Sequence, residues 1–447
     1  MNNPNGLCSV FLSTIKGSRL RRFGGFPLLF LCVCINTLMS SEVRADSSQD
    51  ITSQELTLRL EKSLPAYEVF EARLLEAEAD VEAAKTLPPV ALTMDREEVF
   101  VGGEGVALKN SLAASWSLDL SGRRHLQVRS ARQLAKAAQL RTKQAKHLFQ
   151  VQVFRVFYSA ALAKLRLESL KQTRAPLAKL VEQLKARAAA GDASGLDLAR
   201  FELELSQHDE NISKTSAELV LAELSLGNVL GAAPGQRLGA REDLLLPTAV
   251  LDAQAQAQIA LSERNDLRAT LSMRESGHSL VKSAGRWWFP TLDISAGYLN
   301  TDFGPGSGPG ADVAHGYLVS VGVSVPLFSR DKADKKRGQA RMRLADAERA
   351  LLERQTRAEV LASITLLKSR VQRAQTFKTR QLVQAVELAE KTKTAYQGGE
   401  ASALALRDAY RQASAMKLRH IELRYLSRLA ELEIWRATGM RSQGETQ

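Results

Sequence analysis

Between Leu108 and Leu120 the chain alternates. Leu108, Leu112, Ala114, Trp116, Leu118 and Leu120 fall on one parity, and Lys109, Ser111, Ala113, Ser115, Ser117 and Asp119 on the other. A period of two marks a strand with one apolar and one polar face, so the pattern predicts a strand over 106–120. At Gly122 the alternation stops, and no Gly or Pro follows until Pro176. Apolar residues now recur at helical spacing, as Phe154, Phe157, Ala161 and Leu165, then Leu177, Leu180, Val181 and Leu184. That spacing predicts one helix over 123–188 with an apolar stripe along it. At 1.5 Å per residue it is roughly 100 Å long, far beyond an ordinary domain helix.

The same succession occurs twice. LAELSLGNVLG (221–231) reappears as LAELEIWRATG (429–439), and AGDASGLDLAR (190–200) as GGEASALALR (398–407), both at a spacing of 208. WSLDLSGR (116–123) lies over VSVPLFSR (323–330) at 207, and Pro89 over Pro290 at 201. Blocks in one order at nearly one spacing indicate an internal duplication. The first repeat, 46–259, reads as a helix at 53–86, strands at 88–101 and 106–120, the long helix 123–188 and a return helix 194–230. The second, 260–440, reads as a helix at 260–287, strands at 290–301 and 316–328, a long helix 330–397 and a return helix 402–438, before a tail at 441–447. Its strands alternate too. Leu292, Ile294, Ala296 and Tyr298 oppose Asp293, Ser295 and Gly297, while Tyr317, Val319, Val321, Val323 and Val325 oppose Leu318, Ser320, Gly322 and Ser324. Gly-rich loops, 101–105 and 302–316, join the strands of each pair.

The class is therefore mostly α with a four-stranded β contribution. Each strand is long enough to cross a membrane at a tilt. Four alone cannot close a barrel, and open edges are not tolerated in lipid. Either the strands cover a soluble core or several chains share one barrel. The helices favour sharing. Two shorter helices stacked end to end match one long one, so the set can form a cylinder with strands at one end and Gly turns at the other.

Composition narrows the function. Lys16, Arg19, Arg21 and Arg22 precede the apolar run 26–39, and Val43-Arg44-Ala45 offers a small-residue cleavage site, so residues 1–45 read as a secretory signal. The run is short of the roughly 20 residues that span a bilayer. Cys34, after Leu31-Cys32-Val33, matches a lipobox poorly. All three cysteines (Cys8, Cys32, Cys34) lie in this leader, so the remainder has no thiol for disulfide, metal or catalysis. The leader holds five Lys/Arg and one acid, which reduces the net charge from +12 to +8. Both signs are mixed along the helices, as on solvated faces, and no nucleic-acid partner is expected. The one basic cluster is RDKADKKRGQARMR (330–343). There is no HExxH, no P-loop and only six scattered His, so no enzyme activity, metal site or cofactor is expected.

In its duplication, in SVPLFSRD (324–331) at a strand-to-helix joint, in ERNDLRA (263–269) opening the second repeat, and in YQGGEASALALRDA (396–409) at a helix turn, the chain resembles the TolC-type outer-membrane efflux channels of Gram-negative bacteria. The resemblance covers about 55–440. It implies a homotrimer whose protomers each give four strands to one twelve-stranded barrel, continued by a long periplasmic α-helical barrel. Implied partners are a periplasmic membrane-fusion adaptor, an inner-membrane pump of the resistance-nodulation-division type, and outer-membrane lipid. Gly122 and Pro326 stand at the strand–helix joints. Trp116, Trp287, Trp288, Phe289 and Phe328 fall where interfacial aromatics are favoured, with ordinary core packing as the alternative. The family gates at the turns. Gly191 reads as the residue ending the long helix, Ser194 as N-cap of the return, and Asp197 matches the gate acid; Gly399 and Ser402 repeat this in the second copy, where Tyr396 matches the gate tyrosine. Ala401 stands where the family has a basic gate partner, leaving Arg407 as a substitute. Apart from any gate, Asp197 would stabilise its helix start by about 0.5 kcal/mol. SVPLFSRD looks most like the heavy-metal branch, with efflux of drugs or other small organic compounds, or a type I secretion duct, as the alternative. A periplasmic adaptor would show one hairpin within β-rich modules, and a structural coiled coil or adhesin would not need paired alternating strands.

Overall fold

The computed structural model describes residues 49–62, 64–101, 104–191, 194–247, 252–303, 313–326 and 331–440. The proposed signal, most of the second Gly-rich loop, Phe328 and the C-terminal tail lie outside the described residues. The elements run β1 (Gln49–Ile51), α1 (Ser53–Glu61), α2 (Pro65–Lys85), β2 (Ala91–Val101), β3 (Glu104–Asp119), α3 (Arg123–Ala189), α4 (Gly195–Val229) and β4 (Leu238–Ala240). The second half runs α5 (Ala253–Glu263), α6 (Asn265–Gly285), β5 (Thr291–Phe303), β6 (Ala314–Ser324), α7 (Lys332–Thr376), a π-helical turn (Phe377–Leu382), α8 (Val383–Gln397) and α9 (Ala403–Thr438).

The long helix α3 is 67 residues, as its unbroken spacing predicts. Both helices that precede the strands are broken where one was expected. The first breaks because Leu64 is extended before Pro65, which supplies a preset φ at the first position of α2. The second breaks at Arg264, which ends α5 and begins α6 with extended backbone. Its guanidinium pairs with Asp266 at 2.7 Å and Glu359 at 3.3 Å, and donates to the Ala437 carbonyl at 3.1 Å. That clasp ties the start of the second repeat to the end of the chain. The strands differ from expectation by a few residues. β6 ends at Ser324 instead of 328, and β3 begins at Glu104 instead of 106.

Two features have no counterpart in the sequence reading. β1 and β4 pair in parallel, Gln49 beside Leu238 and Ile51 beside Ala240. They cap the main core, in which Phe154, Phe157, Tyr158, Leu226, Leu432 and Trp435 are buried. Phe154 meets Trp435 edge to face with centroids 5.4 Å apart. The second feature is the π turn. Above it the buried residues of the two long helices correspond at a spacing of 207 (Val153 with Val360, Phe157 with Ile364, Leu167 with Ala374), and below it at 208 (Leu177 with Ala385, Val181 with Ala389). The second long helix thus carries one extra residue at that level. A π turn is the form in which a helix absorbs a one-residue insertion without rotating the turns beyond it.

Candidate functional site: the strand sheet, its joints and the helical tip

β2, β3, β5 and β6 form one antiparallel sheet in the order β2-β3-β5-β6. Cross-strand register puts Leu92, Ala114, Ala296 and Val319 in one row, Met94, Leu112, Tyr298 and Tyr317 in the next, and Trp116, Ile294 and Val321 in a third. These side chains share one face and are largely bare: Met94 is 80% exposed and Val319 74%. The opposite face is polar and hydrogen-bonded. The Asp293 carboxylate accepts from the hydroxyls of Ser117 and Ser324, Ser295 and Ser320 lie 2.7 Å apart, and Lys109 sits 3.7 Å from Glu97. The outer edges of β2 and β6 have no strand partner among the described residues.

At the first joint Gly122 caps α3 with φ +66, and a Cβ there would lie 2.6 Å from Arg286 Nη1. That nitrogen donates to the Ser121 carbonyl at 2.9 Å. Arg123 pairs with Asp331, the residue that caps α7 with φ +39, so an ion pair links the two joints. Pro326 follows the last ladder pair, Thr291 with Ser324, so its missing N–H costs no strand bond. Trp116 Nε1 donates to the Pro88 carbonyl at 3.2 Å. Trp287 is half-buried. Trp288 stacks on Phe289 at 4.2 Å, with both rings exposed.

At the far end the two hairpins turn alike. Gly191 and Gly399 have φ +84 and +82, a region where glycine avoids the Cβ penalty. The Ser194 hydroxyl accepts from the Leu196 N–H at 3.2 Å, and the Ser402 hydroxyl from the Ala405 N–H at 3.2 Å. The hairpins share a small core of Leu177, Leu180, Val181, Leu184, Phe201 and Leu406, with Tyr396 and Tyr410 packed against it. Burial raises the Tyr410 phenol above its ordinary value. Asp197 is not left uncompensated, as a lone gate acid would be. Its carboxylate lies 3.6 Å from Arg200, one turn along the same helix. Arg407 Nη2 is 3.0 Å from its neighbour Asp408, so its charge is engaged locally. The i, i+3 spacing of Asp197 and Arg200 was readable and was missed. Phe201 and Leu406 were missed as tip core because they meet only when the two hairpins pack.

Among the described residues no group of His, Cys, Asp or Glu is placed to hold a metal ion. No described helix is long and apolar enough to cross a membrane. The exposed apolar rows of the sheet form a surface suited to lipid.

A sheet with one lipid-suited face that runs directly into helices of such length defines an outer-membrane channel protomer with a helical extension. Comparison with curated protein sequences gives no match. The family profile described as outer membrane efflux protein matches residues 54–232 and 257–440, and the chain belongs to that family. It is an outer-membrane transport protein and not an enzyme. In fold it is similar to the channel CusC (TM-score 0.70, 17% identity, covering 89% of this chain and 96% of that one). It is similar to the outer-membrane protein VceC of Vibrio cholerae (0.69, 17%, 87% and 96%) and to the open state of the Neisseria gonorrhoeae channel MtrE (0.66, 15%, 88% and 89%).

Proposed function

We propose that the chain is the passive outer-membrane duct of a tripartite efflux system, working as a homotrimer with a periplasmic membrane-fusion adaptor and an inner-membrane pump of the resistance-nodulation-division type. The observation that carries this is the sheet. It has a bare apolar face, a polar hydrogen-bonded face and two edges without a strand partner among the described residues, and it feeds a 67-residue helix. Three copies joined edge to edge close a twelve-stranded barrel and leave no edge in lipid. The polar face then lines the bore, and the helices carry it across the periplasm. The turns at Gly191 and Gly399 become the far end of the duct, with Asp197 and Tyr396 at its gate.

The cargo we assign is heavy-metal cations, on the likeness of SVPLFSRD to that branch of the family. Deletion of the gene should raise sensitivity to Zn, Co, Cd, Cu or Ag and leave tolerance of dyes and detergents unchanged. Unchanged metal tolerance with lost dye tolerance overturns the metal assignment in favour of small organic compounds.

A further inference from the structure

We propose that the strand–helix joints form a basic collar that binds the anionic phosphodiester headgroups of phospholipids in the periplasmic leaflet. The proposal rests on the outer-membrane channel reading and adds a lipid class to it. The molecule is layered in the order of a bilayer. The apolar rows of the sheet end at Leu118, Leu292 and Val323. Next comes the exposed Trp288–Phe289 stack, of the amphipathic kind that settles at headgroup depth. Below it the charge is almost all of one sign. No Asp or Glu occurs between Asp119 and Glu168, a stretch that opens with Arg123, Arg124, Arg129, Arg132 and Lys136. The start of α7 holds Lys332, Lys335, Lys336, Arg337, Arg341 and Arg343 against only Asp331 and Asp334.

The acids present are already taken. Asp331 pairs with Arg123, Asp334 with Arg337 at 2.6 Å, and Glu275 with Arg129 at 2.8 Å. Arg124, Lys282, Lys332, Lys335, Lys336 and Arg343 have no ion-pair partner among the described residues. Lys332, Lys335 and Lys336 are exposed and lie within the first two turns of α7. That is within about 10 Å of the helix start, about one Debye length, where attraction to a charged leaflet is still felt. Long basic side chains can lay their stems on the aromatic layer while the charged heads reach phosphate. A site for one free anion would converge on a pocket. Arg124, Lys332, Lys335 and Lys336 stand in the first turns of α3 and α7 and Lys282 in the last turn of α6, all close to the strand–helix joints and on separate helices, which fits a planar layer of headgroups.

The test uses the full trimer in non-ionic detergent, titrated with phosphatidylglycerol or phosphatidylcholine, with heat dissociation of the trimer as the readout. Phosphatidylglycerol should stabilise the wild type and phosphatidylcholine should not, and high salt should remove the difference. The K332Q/K335Q/K336Q variant should need roughly a hundredfold more phosphatidylglycerol for the same shift, at about 1 kcal/mol per lysine removed, while K332R/K335R/K336R should behave as wild type. Equal responses to both lipids, or a Gln variant that responds as wild type, overturn the proposal. So does a Gln variant that alters the reversal potential in planar bilayers but keeps its lipid response, because the lysines then line the bore. Absence of any conductance in bilayers of either lipid instead overturns the channel reading itself.

Discussion

Asp197 holds the start of its helix, and in the proposed duct it would also face the bore. It sits three residues after the N-cap Ser194, where a carboxylate faces the unpaired N–H groups of the first turn. Its pairing with Arg200 at 3.6 Å is half-exposed and stabilises little. In the proposed trimer three such carboxylates would come together at the narrow end, inside a bore whose effective dielectric is below that of water. Arg200 offsets their repulsion without cancelling it. Asp197→Asn should therefore cost only about 0.5 kcal/mol of helix stability. In planar-bilayer recordings it should weaken both cation selectivity and block by divalent ions. A variant that keeps both would reduce Asp197 to a capping residue. Tyr396 packs against the cluster of Leu177, Leu180 and Leu406, so in the proposed gate its contribution would be apolar contact and not charge.

At the scale of elements, the π turn is what keeps two long helices of unequal count in phase. Its residues Phe377–Leu382 bury nothing themselves, yet Ala385 and Ala389 beyond it return to the buried face. Deleting Thr379, an exposed residue of the turn, should let the segment relax to a regular α-helix without rotating the tip. Deleting the exposed Glu387 from α8 should rotate everything beyond it by about 100° and expose part of the tip core. Limited proteolysis of the tip and complementation of efflux distinguish the two. The Thr379 deletion should be close to wild type, and the Glu387 deletion should be cut rapidly and fail to complement. Equal damage from both would mean that the π turn has no role in phasing.

At the scale of the whole molecule, the proposed assembly rests on the edges of β2 and β6, which have no strand partner among the described residues. Each presents a row of backbone N–H and C=O groups that water can satisfy and hydrocarbon cannot. The bare row of Tyr317, Val319, Val321 and Val323 on β6 points to the same solution, a barrel built with other copies. In mild detergent the protein should have the mass of three chains and should shift to monomer on gels only after heating. A monomeric mass with a closed fold would refute the shared barrel.

The alternation of β3, β5 and β6, the length of α3 and the Gly turns at Gly191 and Gly399 were all legible in the chain. Each is set by local geometry, whether a period of two, a period of 3.6 or a positive φ that glycine adopts freely. The Leu64–Pro65 break was not foreseen, since one helix was expected over 53–86, although a Pro that presets a helix start was there to be read. Tertiary structure decided the rest. The break at Arg264 depends on Glu359 and Ala437, about a hundred or more residues away. The pairing of β1 with β4 joins strands of three residues, too short to show a period. The tip core forms only when Phe201 from one repeat meets Leu406 from the other. A one-residue insertion does not reveal in the chain whether it will shift a helix or be taken up by a π turn. The burial of Ala385 and Ala389 against neighbouring helices settles that, because only packing can penalise the rotation that the insertion would otherwise cause.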